Sequence, residues 1–451
     1  MVLLMRLWSE IMSKVTKARK IDITWDYLNT KYNIVEAVNK QGYFRISAEE
    51  IKEFHEPRLA VKFDHYDDRP KLFLDHNLTI LPITRGDYYI SRIKAYHEFE
   101  YIDSDITYLM PPNHIKSLDV YSINSESKAL NMAYISGILA DFLEDEKLLP
   151  TVAGRMSSDA FGFYAELYNE DITISSFIEV ENSQIEIDAA YEGVSSLTLM
   201  EAKRELADNF LIRQLYYPFR TWQRKMEKKP VRPVFLIYSN SIFYLYEYKF
   251  TDLQNYNSLE LVKHKRYCLE DTHISREDVK LIMDKVQFNQ EPSVPFPQAD
   301  SFERVINICE LLYINDMEKD SITEEYSFDT RQSSYYLDAA RYLGFVKRSV
   351  DEDGHRSYCL TKLGYELFSM PYKQRQLKLI ESILSFKVFY LAYKAYYDNQ
   401  EMPSKEEIIT FILQSGVVDP KTKLPYSKST NKRRAGTVTS WISWIISTIK
   451  S

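Results

Sequence analysis

The sequence predicts an α/β (α+β) protein whose mixed central sheet is flanked by helices, with a further region on either side of this core. Three observations predict this class. The middle of the chain alternates between helical and strand-like hydrophobic periods. Closely spaced prolines, Pro292, Pro295 and Pro297, then mark a linker. Helical periods dominate after that linker. We therefore predict four units, at residues 1–120, 121–290, 298–372 and 373–451.

The amino-acid composition excludes several classes of protein. Of 451 residues, 45% are hydrophobic and 27% are charged, which excludes a collagen-like, low-complexity or wholly disordered chain. Only 11 residues are Gly, which argues against a protein built on Gly-rich phosphate loops. The net charge of −8 argues against binding nucleic acid by bulk charge. It still permits an enzyme with local basic surfaces and with acidic groups that bind a metal.

Cysteine usage and hydropathy predict a cytoplasmic protein with no membrane partner. Cys268, Cys309 and Cys359 lie far apart and form no CxxC pair, which argues against a disulfide framework or a structural zinc site. The apolar run 1–5 is broken by Arg6 and is too short for a signal peptide or a membrane span. No later stretch approaches about 18 uninterrupted apolar residues.

Local patterns predict the elements in chain order. In the N-terminal region, Leu28, Ile34 and Val38 have helical spacing, and Ser47 with Glu50 has the spacing of a capping box. This region carries no evident chemistry, so roles in dimerisation, in DNA binding or in bracing the core stay open. In the middle region, the patterns predict a helix over 126–143, strands over 161–167 and 172–188 (the second bent or divided), a buried strand over 197–203, a helix over 211–222 that is kinked or interrupted at Pro218, and strands over 234–238 and 242–250.

Charged residues stand at the ends of two of these strands. The strand that ends at Asp188 alternates polar and apolar residues, so Asp188 lies on its polar face. In the next strand, Leu197 and Leu199 lead to Glu201 and Lys203 on the same face. Charges in such apolar surroundings need partners or a metal. Carboxylates from adjacent strands supply the oxygen ligands that Mg²⁺ prefers, with water completing the shell. A lysine beside them can position a water activated by the metal or neutralise charge that develops on a phosphate.

This pattern resembles the PD-(D/E)xK nuclease superfamily, in which an Asp and then a Glu-x-Lys lie on two neighbouring strands. Asp188 matches the first acid, and Glu201 and Lys203 match the second acid and the lysine. Ile187 stands where the motif has proline. The resemblance covers most of the chain. Longer stretches that resemble a group of bacterial type II restriction endonucleases are 63–65, 81–87, 184–192, 201–203 and 212–220.

The resemblance implies a magnesium-dependent, sequence-specific endonuclease that cuts double-stranded DNA, with Mn²⁺ as a substitute metal. Asp188 and Glu201 would hold the metal, and Lys203 would assist the attacking water. Cutting both strands of a palindrome needs two such centres, so a homodimer on DNA is expected. A cognate DNA methyltransferase is implied as the other component of a restriction-modification system, not as a physical partner.

Three further residues are accessory candidates because of their placement. Glu186 lies on the polar face of its strand, Gln214 follows the second strand on a helix, and Glu126 lies on the preceding helix. Solvent exposure or helix packing explains each of them at least equally well. The plain alternative for the whole pattern is an ordinary surface salt bridge at a strand end, beside a turn residue.

Residues 321–370 have the pattern of a winged helix. A helix over 302–313 precedes a second helix over 330–343, and two strands within 345–360 form a hairpin. Such modules place the second helix in the major groove, with its N-terminal residues nearest the bases. A winged helix used for protein contacts is the alternative. The candidate base contacts are Arg331 and Gln332, and the candidate phosphate contacts on the hairpin are Lys347, Arg348 and Arg356.

Two other basic segments are candidate DNA contacts. Residues 421–451 are rich in Lys and Arg, contain no Asp or Glu, and carry Trp441 and Trp444 at helical spacing. They resemble the reading helix of a second helix-turn-helix, and a basic solubilising tail is the alternative. Arg213 and Arg220 share a predicted helix face for phosphate contact, where a solvated face is the alternative. The candidate contacts at the start of the last helix are Lys432, Arg433 and Arg434.

Together these features predict a type II restriction endonuclease whose α/β core cuts DNA and whose C-terminal modules bind it. Two alternatives stay open. A non-catalytic winged-helix DNA-binding regulator would need neither Glu201 nor a metal. A structure-selective repair nuclease would use the same core on flaps or lesions.

Overall fold

Long apolar strands and amphipathic helices form a mixed α/β structure around a seven-stranded mixed sheet, which confirms the predicted class at that level. The structure is a computed structural model. It describes residues 19–100, 102, 104–120, 123–168, 175–226, 228–269, 274–318, 322, 330–350 and 356–449. Within these ranges, no helix combines the length and the apolar character needed to cross a bilayer.

The elements are numbered along the described residues. The helices are α1 Lys20–Tyr32, α2 Ile34–Gln41, α3 Ala48–Lys52, α4 Pro57–Ala60, α5 Lys71–Asp75, α6 Glu126–Ile135, α7 Ile138–Leu143, α8 Arg213–Met226, α9 Arg276–Lys285, α10 Phe302–Ile314, α11 Thr330–Tyr342, α12 Lys362–Phe368, α13 Tyr372–Leu384, α14 Lys387–Asn399, α15 Lys405–Gln414 and α16 Lys428–Thr448. The strands are β1 Tyr43–Ser47, β2 Thr79–Pro82, β3 Asp87–Ser91, β4 Tyr96–Glu98, β5 Ile106–Tyr108, β6 Leu149–Pro150, β7 Gly154–Ser157, β8 Phe161–Glu166, β9 Ser175–Val180, β10 Gln184–Ile187, β11 Ala189–Glu192, β12 Leu197–Lys203, β13 Asn209–Leu211, β14 Val231–Ser239, β15 Ile242–Phe250, β16 Leu259–Cys268, β17 Met317–Glu318, β18 Val346–Val350 and β19 Arg356–Leu360.

The central sheet has the strand order β5-β16-β15-β14-β12-β11-β6. β11 pairs antiparallel with β12, and β12 pairs parallel with β14. A parallel pair needs a crossover connection, and α8 provides it between β12 and β14. β12 is buried along almost its whole length, because helices cover both faces of the sheet.

The two faces of β12 belong to two different apolar layers. Leu197 and Leu199 pack with Leu215 of α8, on one side of the sheet. Met200 and Ala202 pack on the other side, against α6 and α7. This alternation is the one that a strand period of two predicts. It places Glu201 and Lys203 on the α8 side of the sheet, at the carboxyl end of β12.

Separate apolar clusters lie on either side of this core. The N-terminal cluster, centred on Trp25 and Phe73, packs α1, α2 and α5 against the three-stranded sheet β1-β3-β2. The C-terminal cluster draws its residues from the range between Ile274 and Ile445, so it joins both predicted C-terminal units and the last part of the predicted 121–290 unit. In it, α10 and α11 pack beside a small antiparallel sheet of order β17-β19-β18.

Three local predictions differ from the structure or are resolved by it. The helix predicted over 126–143 is two helices, because Gly137 adopts a left-handed φ of 82° between them. The stretch predicted over 172–188 contains two strands, β9 and β10, with Asn182 at φ 55° in the turn, and residues 172–174 lie outside the described chain. The sequence predicts that the helix is kinked or interrupted at Pro218. In the structure α8 is not interrupted there, because burial of the helix outweighs the loss of one hydrogen bond.

Candidate active site

The two predicted carboxylates lie near each other at one end of the sheet, but only Glu201 is on a strand, since Asp188 lies in the bend between β10 and β11. In the β11–β12 ladder, Ala189 stands opposite Met200, and one residue further along Asp188 stands beside Glu201. The Oδ2 atom of Asp188 accepts a hydrogen bond from the backbone N–H of Ala202 at 2.8 Å. This bond fixes the Asp188 carboxyl against β12, next to the residue that carries the second acid.

The local sequence explains how Asp188 reaches this position. Along β10, Gln184 and Glu186 are exposed while Ile185 and Ile187 are buried, as the alternation predicts. β10 pairs with β7 in a separate two-stranded ribbon, and the chain bends at Asp188 before β11 joins the central sheet. Asp188 is therefore the residue at which the chain passes from the ribbon to the sheet.

Lys203 and two of the accessory candidates meet at the Glu201 carboxyl. Lys203 Nζ lies 2.8 Å from Glu201 Oε1 and 3.9 Å from Glu126 Oε1, and the Gln214 amide donates to Glu201 Oε1 at 3.0 Å. The Glu201 and Lys203 side chains are only 11% and 15% exposed. The ion pair and the bend at Asp188 are those that the salt-bridge alternative expects, but the pair is buried and not at the surface.

Glu186, the third accessory candidate, lies close to the site but faces outward. Glu186, Glu201 and Gln214 line one small pocket of about 10 Å³. The Glu186 carboxylate is exposed and pairs with Arg155 of the ribbon at 3.1 Å. Of the three accessory candidates, Glu126 and Gln214 therefore contact the central residues directly, and Glu186 does not.

Burial dominates the electrostatics of this group. It raises the pKa of Glu201 to about 8 and that of Glu126 to about 7, against the attraction of Lys203 in both cases. Burial also raises the pKa of Asp188. For Lys203, burial lowers the pKa, but nearby carboxylates, Glu201 first among them, outweigh it and leave the pKa well above its usual value. When Asp188, Glu201 and Glu126 are all ionised, their three negative charges exceed the single positive charge of Lys203.

These residues fit a magnesium site of the kind built on two carboxylates. Among the described residues, no group of three or more His, Cys, Asp or Glu side chains is arranged to hold a metal. Magnesium does not need one, since it keeps several waters and commonly binds through one or two carboxylates together with substrate phosphate. Buried carboxylates with raised pKa values are the groups whose ionised form a divalent cation would stabilise.

Sequence reasoning missed charged residues near Lys203, among them Asp64 and Glu205, which raise the pKa of its amine. Glu205 is buried, and its Oε1 atom lies 3.9 Å from His65 Nε2 of the N-terminal region. Burial alone would lower the pKa of His65 and raise that of Glu205. Their mutual attraction, together with Asp68 and the Asn209 carbonyl on the side of His65, reverses both directions, so the pKa of His65 is raised and that of Glu205 is lowered. The tripeptide 63–65 carries part of the resemblance, but its distance along the chain gave no sign of this contact.

The C-terminal candidates for DNA contact divide by exposure. On the hairpin of β18 and β19, the cationic side chains are exposed; on α16, Lys432 and Arg433 are exposed, whereas Arg434 is only 4% exposed. The Arg434 guanidinium lies 3.8 Å from the ring centre of Tyr426. Arg434 is therefore a packed residue. The backbone of α11 includes Arg331 and Gln332, but their side chains lie outside the described structure. The exposed hairpin cations are Lys347, Arg348 and Arg356.

Arg213 and Arg220 share one face of α8, as predicted, but that face meets aromatic rings. Arg213 lies 5.9 Å from the ring centre of Tyr217. Arg220 donates to the Tyr216 hydroxyl at 2.6 Å and to the Gly162 carbonyl at 3.2 Å. Both side chains are half-buried. Their predicted phosphate contact stays a prediction, and the contacts present are internal.

Three family models match the chain, and each is described as a domain of unknown function. DUF6996 matches residues 22–90, DUF6997 matches residues 91–268, and DUF7226 matches residues 304–450. No curated protein and no solved structure matches the chain. The whole Asp188–Glu201–Lys203 group lies in the segment similar to DUF6997, whereas His65 lies in the segment similar to DUF6996.

Proposed function

We propose that the protein is a magnesium-dependent endonuclease of the PD-(D/E)xK superfamily that cuts double-stranded DNA as a type II restriction enzyme. One observation carries the proposal. Asp188, in the bend that leads into β11, lies next to Glu201 of β12, and the Lys203 amine is 2.8 Å from the Glu201 carboxylate. The flanking elements support it, because α6 precedes this strand pair and α8 crosses over to a third strand, β14.

Each residue then has a role that follows from its contacts. Asp188 and Glu201 would hold Mg²⁺, with Mn²⁺ as a substitute. A bound ion of this kind lowers the pKa of its water and offsets charge on the scissile phosphate. Lys203, held protonated by the surrounding carboxylates, would orient the attacking water or neutralise the phosphate as the P–O bond breaks. Gln214 orients Glu201 through its amide, and Glu126 adds negative charge beside Lys203.

The C-terminal region supports the DNA-binding part of the proposal. The order α10, β17, α11, β18, β19 and the sheet order β17-β19-β18 suit a winged helix, and the hairpin presents exposed Lys and Arg side chains. Such residues contact phosphates and set the position of a reading helix. A homodimer would bring two cutting centres to a palindromic site, and a methyltransferase would protect the host's own copies of that site.

Plasmid cleavage tests this function. We expect purified protein to cut plasmid DNA in Mg²⁺ or Mn²⁺ but not in EDTA, and sequenced ends to fall at one short repeated sequence. Ends at flaps or lesions would instead support a structure-selective repair nuclease. DNA binding with no cleavage in any divalent metal would support a non-catalytic winged-helix regulator and would overturn the proposal.

The difference in burial between two adjacent arginines of α16 predicts that one affects DNA binding and the other affects stability. Arg433 is exposed, so Arg433→Ala should weaken DNA binding and reduce the slope of log affinity against log salt concentration by about 1. Arg434 stacks on Tyr426 in the interior, so Arg434→Ala should destabilise the protein by roughly 2 kcal/mol. Its effect on the salt slope should be negligible. Salt-dependent DNA binding and thermal unfolding measure the two effects, and a reduced salt slope for Arg434→Ala would contradict the assignment.

A further inference from the structure

The segment that follows the catalytic strand, residues 204–209, is held from one side by the C-terminal region. Asn307 of α10 is completely buried. Its amide donates to the Arg204 carbonyl at 2.8 Å, and its Oδ1 accepts from the Leu206 N–H at 3.2 Å. Arg304, one turn earlier on α10, pairs with Asp208. A single buried amide therefore satisfies backbone groups on both sides of Glu205.

The same segment is held from the other side by the N-terminal region. The ring Nδ1 of His65 donates to the Asn209 carbonyl, and the backbone N–H of Tyr66 donates to Asn209 Oδ1 at 2.7 Å. The other ring nitrogen, Nε2, lies 3.9 Å from Glu205 Oε1 and is buried without a hydrogen-bond partner among the described residues. His65 thus contacts both Glu205 and the end of the segment.

We propose that His65 and Asn307 are positioning residues for Lys203, so that the N-terminal and C-terminal regions complete the active centre. The inference rests on the proposed function and deepens it. Lys203 is the last residue of β12, and the backbone that fixes its amine continues directly into residues 204–209. A site made of two strands alone would leave this backbone without partners on either side. Catalytic groups placed by such supporting contacts lose rate steeply when they move by a fraction of an ångström.

The reactivity of the Lys203 amine tests the proposal without any assumption about catalysis. The full-length protein is treated with an amine-reactive reagent under native conditions, and modification of Lys203 is followed by mass spectrometry. Because loss of one buried hydrogen bond changes a local equilibrium by about five- to tenfold, we expect His65→Ala and Asn307→Ala to speed Lys203 modification by about that factor. Unchanged Lys203 reactivity in both variants would overturn the proposal.

Gln376 provides a matched control for the Asn307 variant. It is a completely buried amide of the same C-terminal region, and it also joins that region to the core, but it bonds Asn240 at 2.7 Å and not residues 204–209. Gln376→Ala should therefore leave Lys203 reactivity unchanged although it also weakens the interface. Faster Lys203 modification in Gln376→Ala as well would mean that general loosening, not positioning, is responsible. Should His65→Ala fail to fold, His65→Gln keeps a donor for the Asn209 carbonyl and removes the ring nitrogen that faces Glu205.

Cleavage kinetics give a second readout that depends on Lys203. His65→Ala and Asn307→Ala should each lower the single-turnover cleavage rate by about tenfold or more, with DNA affinity in metal-free buffer unchanged. In a Lys203→Ala background, neither change should lower the rate further, because both act through the lysine. If His65→Ala or Asn307→Ala lowers the cleavage rate of the Lys203→Ala protein by the same factor as it lowers the wild-type rate, the proposal is overturned. If the wild-type protein cuts no DNA, the proposed function fails, and the labelling result alone decides the positioning role.

Discussion

Lys203→Ala is expected to lower the single-turnover rate of DNA cleavage by about 10³-fold while DNA affinity in metal-free buffer stays within about twofold. The Lys203 side chain is 15% exposed, its amine lies 2.8 Å from Glu201 Oε1, and nearby carboxylates, Glu201 first among them, raise its pKa. Alanine removes the one positive charge that contacts Glu201 in the described structure. The loss should therefore fall on the chemical step and not on binding. Rapid-quench cleavage assays and metal-free DNA titrations measure the two quantities separately.

Lys229 is the matched control for this substitution. Its amine is also partly buried in an ion pair, 2.5 Å from Glu192 Oε1, but Glu192 lies at the opposite end of β11 from Asp188. Lys229→Ala should keep the cleavage rate within about threefold of wild type, since an isolated ion pair of this kind contributes little. A cleavage rate that survives Lys203→Ala, or one that falls equally in Lys229→Ala, would remove Lys203 from the proposed mechanism.

The placement of Glu201 and Lys203 was predictable because a strand fixes the direction of its side chains. A period of two placed Glu201 and Lys203 beyond Leu197 and Leu199 on one face of β12, and the structure has this arrangement. Asp188 was predicted on the polar face of its strand, but β10 ends at Ile187 and Asp188 lies in the bend that follows. The same reasoning, applied more strictly to α16, would have excluded Arg434. That residue is one turn before Val438, which packs inward, so helical spacing puts both on the buried face.

The supporting contacts were beyond the reach of local patterns. His65 lies 140 residues before Glu205 along the chain, Asn307 lies about 100 residues after it, and no periodicity links residues so far apart. At Pro218, local rules predicted a kink or an interruption, and the structure excludes the interruption. Pro218 breaks the helical hydrogen-bond ladder but sits in a buried helix face, and there packing decides the outcome.

Metal affinity is expected to rise with pH up to about 8 and then to level off. In the metal-free site, burial raises the pKa of Glu201 to about 8, so at pH 6 this proposed ligand carries one proton that a bound cation must displace. The apparent association constant for Mn²⁺ should therefore increase up to about tenfold per pH unit between pH 6 and 8. Calorimetric titration of the DNA-free protein at several pH values measures it.

The same linkage sets the direction of the stability change. A carboxyl whose pKa is raised by folding binds more protons in the folded state, so the contribution of Glu201 to the free energy of unfolding falls as pH rises from about 4.5 to about 8. A bound cation should offset this loss, and the rise in melting temperature on adding Mn²⁺ should be larger at pH 8 than at pH 6.

Glu201→Gln should abolish both effects, because the amide has no proton to release and is a poor magnesium ligand; its apparent affinity for Mn²⁺ should fall by about 100-fold. Glu291 is the control. Burial raises the pKa of that carboxyl too, but it accepts a hydrogen bond from the Tyr342 hydroxyl at 2.7 Å in the C-terminal region, away from the site. Glu291→Gln should leave the pH dependence of Mn²⁺ binding intact. Binding that is independent of pH, or that survives Glu201→Gln, would mean that the cation does not bind at the Asp188–Glu201 pair.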